Sequence, residues 1–261
     1  MPSGSFWRPG ADMPLVTVDA TILQAFPYSE TSKILRLLTG RHGVQSVIAK
    51  GARRPRSRYG GVLEPFTDGT ATFYLKETRD LHTLRDFELE RPRQRLGRDL
   101  VRFGAASLLS EIVLRTSSEQ ESPALFRRLR QALTELEGVP AGDVEDVALA
   151  HAWGLIAILG FAPALEHCVH CGAGVPGDRD LFFDYGAGGV LCGECGGGGG
   201  GGRVLPSRAR RDLVSLLRGE RAGLERTGAH WQLLSRFLTF HLVDAGALRS
   251  LEFLSHQVGV E

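Results

Sequence analysis

Residues 33–58, KILRLLTGRHGVQSVIAKGARRPRSR, carry the strongest signal in the chain about its fold. Apolar residues alternate with polar ones in two short runs, as they do in half-buried strands, where successive side chains point to opposite faces. The segment has eight cations and no Asp or Glu, although the whole chain has 31 Lys and Arg against 30 Asp and Glu. The eight are Lys33, Arg36, Arg41, Lys50, Arg53, Arg54, Arg56 and Arg58. A sheet face with cations and a basic loop at its end suits an extended polyanion, and we expect these residues to bind nucleic acid.

Residues 15–90 predict a small all-β domain around this segment. The pattern favours strands near residues 15–23, 31–39, 44–49, 70–76 and 81–89, with a basic Pro- and Gly-containing loop at 51–61. Five short strands fit an OB-type barrel, a fold whose face and loops often bind oligonucleotides. Periodicity alone does not separate this barrel from an SH3-like one.

From Leu96 onward the apolar residues recur at helical spacing, which predicts a helical domain over residues 91–261. We expect helices that begin near Leu96, Pro123 and Val144, further helices near residues 206–217 and 229–244, and a final docked segment at 249–254. Proline is tolerated in a first helical turn because its missing N–H would have no intrahelical partner. The link RPRQRLGR, residues 91–98, extends the positive charge toward this domain.

Two Cys-x-x-Cys pairs form the most specific motif of the chain. Cys168 and Cys171 are separated by 20 residues from Cys192 and Cys195. This spacing is typical of a four-thiolate zinc site, and we expect a zinc ribbon inserted at residues 166–203 with a hairpin between the two pairs. Gly172 and Gly196 follow the pairs and permit the positive φ angles of tight turns.

The zinc is predicted to be structural. Four thiolates close the coordination shell, whereas a catalytic zinc keeps a position open for water. His167 and His170 flank the ligands, and we expect them to be solvated. The seven glycines at residues 196–202 predict a flexible connector after the ribbon.

Several function classes find no support in the sequence. There is no nucleophile elbow, Walker A loop, dinucleotide fingerprint or HExxH motif, so we expect no enzyme. Asp143, Glu145 and Asp146 form the densest acidic group, but they fit a helix N-terminus, where acids interact favourably with the dipole.

The sequence also favours a cytosolic location. Residues 1–14 lack the apolar core of a secretory signal and predict a flexible lead, with Met13 as an alternative start. The longest apolar run, residues 154–165, has 12 residues, whereas a membrane span needs about 20. Two close cysteine pairs in a chain of this kind favour metal over disulfides.

The order of these features resembles the bacterial recombination mediator family RecO. Four segments carry the resemblance: ATILQAFPYSETSKILRLLTGRHG, then VIAKGARRPRSR followed by LEPF, then the four-cysteine ribbon after a helix ending in GFAP, and last RFLTFHLVDAGALRSLEFL. The resemblance implies an OB domain, a helical domain and a zinc ribbon within it. It further implies a role in RecF-pathway repair, in which the protein binds single- and double-stranded DNA and anneals complementary strands. It also implies RecR and the acidic C-terminal tail of single-strand-binding protein as partners, and help in loading RecA.

Two points stay open at this level. A zinc-ribbon adaptor that binds only proteins would leave the cations of residues 33–58 without a role. A basic, apolar groove in the helical domain, with Arg127, Arg128 or Arg130, would suit the acidic tail, although each of these residues also fits an ordinary solvated helix face.

Aromatic residues near the cations, Tyr28, Tyr59, Phe66 and Tyr74, fit either the barrel core or stacking on bases.

Overall fold

A computed structural model describes residues 14–75, 80–116, 121–197, 203–241 and 248–258. The chain divides into two compact units, Met1–Pro92 and Arg93–Glu261. Of the predicted lead at residues 1–14, all but Pro14 lies outside the described residues, as do Met13 and most of the predicted glycine connector.

The first unit is a closed barrel of five strands in the order β1-β2-β3-β5-β4. Strands β3 and β5 pair in parallel, and the other neighbours pair antiparallel. The order is that of an OB-type barrel, which confirms the predicted fold class and excludes the SH3-like alternative. The strands are β1 Leu15–Pro27, β2 Lys33–Thr39, β3 Gly43–Ala49, β4 Asp68–Tyr74 and β5 Leu81–Arg91.

A register shift in β1 determines which of its side chains face outward. Val18 and Ile22 lie in the barrel core, so the even-numbered residues point inward over the first half of the strand. The pairing with β2 then shifts between Ile22 and Gln24. After this bulge Ala25 pairs with Leu35 of the core and packs against it, so the inward face has changed from even to odd residues.

The second unit has helices around an apolar core that includes the buried Trp153, Trp231 and Phe237. The long helices are α1 Leu100–Thr116, α2 Pro123–Gly138, α3 Val144–Ile158, α5 Ser207–Leu217, α6 Thr227–His241 and α7 Arg249–Val258. Leu96 lies in a separate 3-10 turn, Leu96–Arg98, and not in α1 as predicted. The C-terminal end of α2 is held by a buried arginine, Arg102, which donates hydrogen bonds to the carbonyl oxygens of Leu136 and Val139.

A small three-stranded sheet interrupts the helices, in the order β7-β6-β8. Its strands are β6 Leu181–Asp184, β7 Gly189–Leu191 and β8 Arg203–Leu205, with the single turn α4 Gly193–Gly196 after β7. The hairpin of β6 and β7 confirms the predicted ribbon hairpin. Strand β8 follows the glycine run and was not predicted, because three residues are too few for a periodic signal.

Candidate functional site

The four cysteine sulfur atoms come together in the ribbon. The Sγ atoms of Cys168, Cys171, Cys192 and Cys195 all lie within 4.8 Å of one another. The Sγ atoms of Cys171 and Cys192 are 3.7 Å apart, which is too long for a disulfide bond. Four thiols converging on one point are the ligand set of a tetrahedral metal centre, so this cluster could hold a metal ion.

Backbone hydrogen bonds fix the first cysteine pair. The Cys168 carbonyl accepts a hydrogen bond from the N–H of Gly172 at 2.9 Å, and the Cys168 N–H donates to Ala173 at 2.8 Å. Gly172 has a φ of 74°, as its predicted turn requires. The next residue in the pair, Val169, donates to the carbonyl of Val190 in β7 at 3.0 Å, which attaches this turn to the hairpin.

The second cysteine pair is placed differently. Cys192 immediately precedes α4, and its carbonyl accepts a hydrogen bond from the Gly196 N–H at 2.8 Å. Gly196 has a helical conformation, so the predicted positive φ at this residue is wrong. A glycine is needed there because a Cβ atom would collide with the ring of Phe182 in β6.

The Cys168 and Cys195 thiols differ in how readily they lose a proton. Hydrogen bonds from the backbone N–H groups of Cys192 and Cys171 lower the pKa of the Cys168 thiol to about 6. Hydrogen bonds with the neighbouring thiols raise the pKa of Cys195 to about 12, and the bond with Cys192 has the largest effect. The charge of a Cys168 thiolate also opposes ionisation of Cys195, and a divalent cation at the centre would offset this repulsion.

The histidines beside the cluster are not among its ligands. The only such cluster within the described ranges consists of the four cysteines. His170 Nε2 lies 3.4 Å from Asp184 Oδ2, and its side chain is half exposed. His167 is exposed, in agreement with the predicted solvated state.

The eight predicted cations do not form one face of the sheet. Lys33 and Arg36 are three residues apart in β2 and therefore project to opposite sides of it. Lys33 has the inward parity of Leu35, whereas Arg36 pairs with Gln24 and Ser46 on the outer surface.

Lys33 is engaged inside the protein. Its Nζ lies 2.8 Å from Glu64 Oε1 and donates to the Leu63 carbonyl at 3.2 Å. Its side chain is only 20% exposed. An ion pair at the end of the barrel therefore accounts for this cation.

The cations of the loop after β3 differ in their contacts. Arg53 Nη1 donates to the Ser29 carbonyl at 2.8 Å, which joins this loop to the turn between β1 and β2. Arg58 Nη2 donates to the Tyr59 hydroxyl at 2.8 Å, and its guanidinium lies 4.9 Å from the centre of the Tyr59 ring.

Four other cations are less constrained. Among the residues that the structure describes, no ion pair or side-chain hydrogen bond engages Arg41, Lys50, Arg54 or Arg56. All four are exposed. Arg53 is exposed as well and has one side-chain contact, with Ser29, and we call these five residues the open cations.

The predicted aromatic candidates are divided by burial. Tyr59 and Phe66 are buried in the barrel, so they do not offer a ring to a base. Tyr28 is 50% exposed. Phe26, which the sequence pattern did not single out, is 42% exposed. Only the register shift in β1 explains why Phe26 faces outward.

A cavity of about 300 Å³ lies in the second unit between the ribbon and helices α5 and α6. Its wall combines apolar side chains such as Val204 and Leu233 with three arginines and two carboxylates. Arg208 is paired with Glu225 at 2.5 Å. The cavity is therefore apolar with a small excess of positive charge.

The helix surface predicted for an acidic partner is partly occupied. Arg128 donates to the Arg218 carbonyl at 3.1 Å, and the Arg130 guanidinium lies 5.4 Å from the ring centre of Phe126. Arg127 is exposed.

The acidic group at α3 has the structural role that was expected. Glu145 and Asp146 lie in the first turn of the helix. Trp231 Nε1 donates to Glu145 at 3.1 Å, and Arg221 pairs with Asp143 at 2.9 Å.

Fold and site together define a class of two-unit proteins in which an OB-type barrel precedes a helical domain with a four-cysteine ribbon. Family models for the N-terminal and C-terminal parts of recombination protein O match residues 13–93 and 97–252. The chain belongs to the RecO family.

Proteins described as DNA repair protein RecO are similar along most of the chain. The protein of Thermobifida fusca is 35% identical over 251 residues, which cover 93% of this chain and 99% of the relative. The protein of Pelotomaculum thermopropionicum is 32% identical, covering 88% and 90%. The protein of Bacillus subtilis is 31% identical over 69% of each chain. No helix among the described residues has the length and apolar character needed to cross a bilayer.

Proposed function

We propose that this protein is a non-enzymatic mediator of DNA repair that binds single- and double-stranded DNA and anneals complementary single strands. The observation that carries the proposal is the group of exposed arginines Arg53, Arg54 and Arg56 on a loop attached to an OB-type barrel. A polyanion can meet several of them at once, and barrels of this type commonly bind oligonucleotides through one face and its loops.

Charge neutralisation explains how such a surface promotes annealing. Two single strands repel each other through their phosphates, and this repulsion opposes their encounter. Arginines that contact phosphates lower the repulsion and leave the base edges available for pairing. No bond is made or broken in this process, and no ATP is required.

The cysteine cluster supports a structural zinc in this proposal. Cys168, Cys171, Cys192 and Cys195 supply four sulfur ligands, which leave no position for a substrate or water. The ribbon sheet has only short strands, so metal binding would supply much of its folding free energy.

Two protein partners are part of the proposal, both through membership in the RecO family. RecR would act with this protein in loading RecA onto single strands coated by single-strand-binding protein. We propose that the acidic C-terminal tail of single-strand-binding protein occupies the cavity between the ribbon and α5–α6, because apolar walls and arginines suit a peptide with both apolar and acidic residues. Since the repair substrate is the chromosome, we propose that the protein acts in the bacterial cytoplasm, at the nucleoid.

The test is annealing of two complementary oligonucleotides, followed by loss of donor fluorescence from a dye pair, without ATP. We expect the unaltered protein to accelerate annealing, and Arg53→Ala/Arg54→Ala/Arg56→Ala to lose most of this acceleration. Charge-preserving Arg53→Lys/Arg54→Lys/Arg56→Lys is the matched control and should retain it. If the unaltered protein binds no DNA, the adaptor function, which acts only through protein contacts, replaces this proposal.

A further inference from the structure

The outer surface of strands β1, β2 and β3 carries an apolar row beside the cations. Phe26 pairs with Ile34, and Ile34 pairs with Ile48, so the three side chains lie side by side across the three strands. None of them belongs to the barrel core, and Phe26 is 42% exposed. A phenyl ring at the edge of this row presents its surface to solvent, although such residues are usually buried in soluble proteins.

The bulge in β1 is the reason for this placement. Without the shift between Ile22 and Gln24, Phe26 would keep the inward parity of Val18 and Ile22. Bulges often redirect side chains in this way at functional surfaces. Ala25 takes the inward place against Leu35, and Phe26 is turned outward.

A second exposed ring follows in the adjoining turn. Tyr28 is 50% exposed, and its backbone N–H donates to the Ser32 carbonyl at 2.9 Å. The same turn is tied to the basic loop, since the Arg53 N–H donates to the Thr31 carbonyl at 3.0 Å and its side chain to Ser29. The turn that carries Tyr28 and the loop that carries Arg53, Arg54 and Arg56 are therefore held in one structural block.

From these contacts we infer that Phe26 and Tyr28 form a stacking platform for the bases of a single strand whose phosphates meet Arg53, Arg54 and Arg56. Charge complementarity selects the occupant, because Arg53 is bonded to Ser29, the residue after Tyr28, and an extended single strand offers phosphates and unpaired bases together. In a duplex the bases are stacked on one another, so the rings would add affinity for single strands only. This inference rests on the proposed DNA-binding function and adds to it a source of preference for single strands.

The experiment compares two probes of equal length and charge, a 20-residue oligothymidylate and a fully abasic strand, using fluorescence anisotropy with the full chain. Stacking contributes about 1–3 kcal/mol per base. We therefore expect Phe26→Ala/Tyr28→Ala to weaken binding to oligothymidylate about tenfold or more and to leave binding to the abasic strand unchanged. The slope of affinity against salt should stay the same, since no cation is removed.

Two further variants separate stacking from other effects. Leu89→Ala is the matched control, because Leu89 is 41% exposed on the same barrel and lies six residues beyond the part of β5 that pairs with β3. It should change neither affinity. Phe26→Trp should keep or strengthen binding to oligothymidylate, and circular dichroism of each variant should show an intact fold.

If the double variant binds both strands equally more weakly, or binds oligothymidylate as tightly as the unaltered protein does, the inferred stacking platform is wrong. In either case the unaltered protein would still bind DNA with a salt-dependent affinity, and the proposed function would stand. If the unaltered protein binds neither strand, the proposed function itself is wrong and the platform falls with it.

Discussion

The salt dependence of DNA binding is the most direct measure of how many cations contact phosphates. Each phosphate that a protein contacts on a single strand releases counterions and contributes about 0.7 to the slope of log affinity against log salt. Arg53, Arg54 and Arg56 are exposed on one loop, and we expect all three to contribute. Their replacement by Ala should therefore flatten the slope by about 2.

This slope converts into a ratio that can be measured at two salt concentrations. Between 50 and 200 mM salt the logarithm of concentration changes by about 0.6, so a slope change of about 2 corresponds to about 1.2 decades. The affinity advantage of the unaltered protein over the triple variant should thus shrink about 16-fold over this interval. Anisotropy titrations with a labelled oligothymidylate at four or five salt concentrations would measure both slopes.

Lys33 provides the matched control within the same segment. Its Nζ is paired with Glu64 at 2.8 Å, and 61% of the Glu64 side chain is exposed. Lys33→Met removes one positive charge from the sequence, yet it leaves a carboxylate that water can solvate, so the stability cost should stay below about 1 kcal/mol. We expect the salt slope of this variant to equal that of the unaltered protein.

Two results would refute the reasoning. One is a triple variant whose slope equals that of the unaltered protein, because the loop arginines would then make no phosphate contacts. The other is a Lys33→Met variant whose slope falls by about 0.7, because a cation that is paired inside the barrel would then have to reach DNA.

Three other predictions concern the second unit. Cys171→Ser should lower the zinc content measured with a chromogenic chelator and speed hydrogen exchange in residues 166–197. The exchange rates of the barrel amides should not change. A full zinc equivalent in the variant would contradict the four-thiolate site. Burial lowers the pKa of His151 below its ordinary value of 6.5, so the folded state binds fewer protons than the unfolded state and stability should fall as pH drops below about 6.5. His151→Leu should remove part of this decline in urea unfolding at pH 7.5 and 5.5, whereas an unchanged decline would show that other groups cause it. Gly196→Ala should cost about 1–3 kcal/mol of stability, because the added Cβ would collide with Phe182. Gly193→Ala is the control in the same turn and should cost much less, because the space around Gly193 is open. Thermal unfolding of the zinc-loaded protein would measure both changes.

The cysteine cluster was predictable because its ligands are encoded locally. Each pair is contained in a single turn, and the spacing of the pairs alone identifies the ligand set. What the motif does not encode is how the turns pack. Gly172 and Gly196 each follow a cysteine. Gly196 is required because a Cβ atom would collide with the Phe182 ring, whereas Gly172 is required by its positive φ angle.

The barrel was also predictable, since its strands alternate in the expected way and end at turn residues. The outward direction of Phe26 was not, because it depends on one extra residue in β1 that periodicity does not reveal. Strand β8 was missed for a different reason. It has three residues, and only its pairing with β6 identifies it as a strand.

The basic segment shows why a count of charges overstates a binding surface. The partners that engage its cations come from distant parts of the sequence: Glu64 pairs with Lys33 across 31 residues, and the Leu84 carbonyl lies 3.4 Å from Arg58 Nη2 across 26 residues. Folding thus converts these two cations into structural contacts, although nothing in residues 33–58 distinguishes them from Arg54. The charge that remains for a ligand is determined by the closure of the barrel and by its side-chain parity, and this is why the open cations lie at the turns and in the loop and not along the strands.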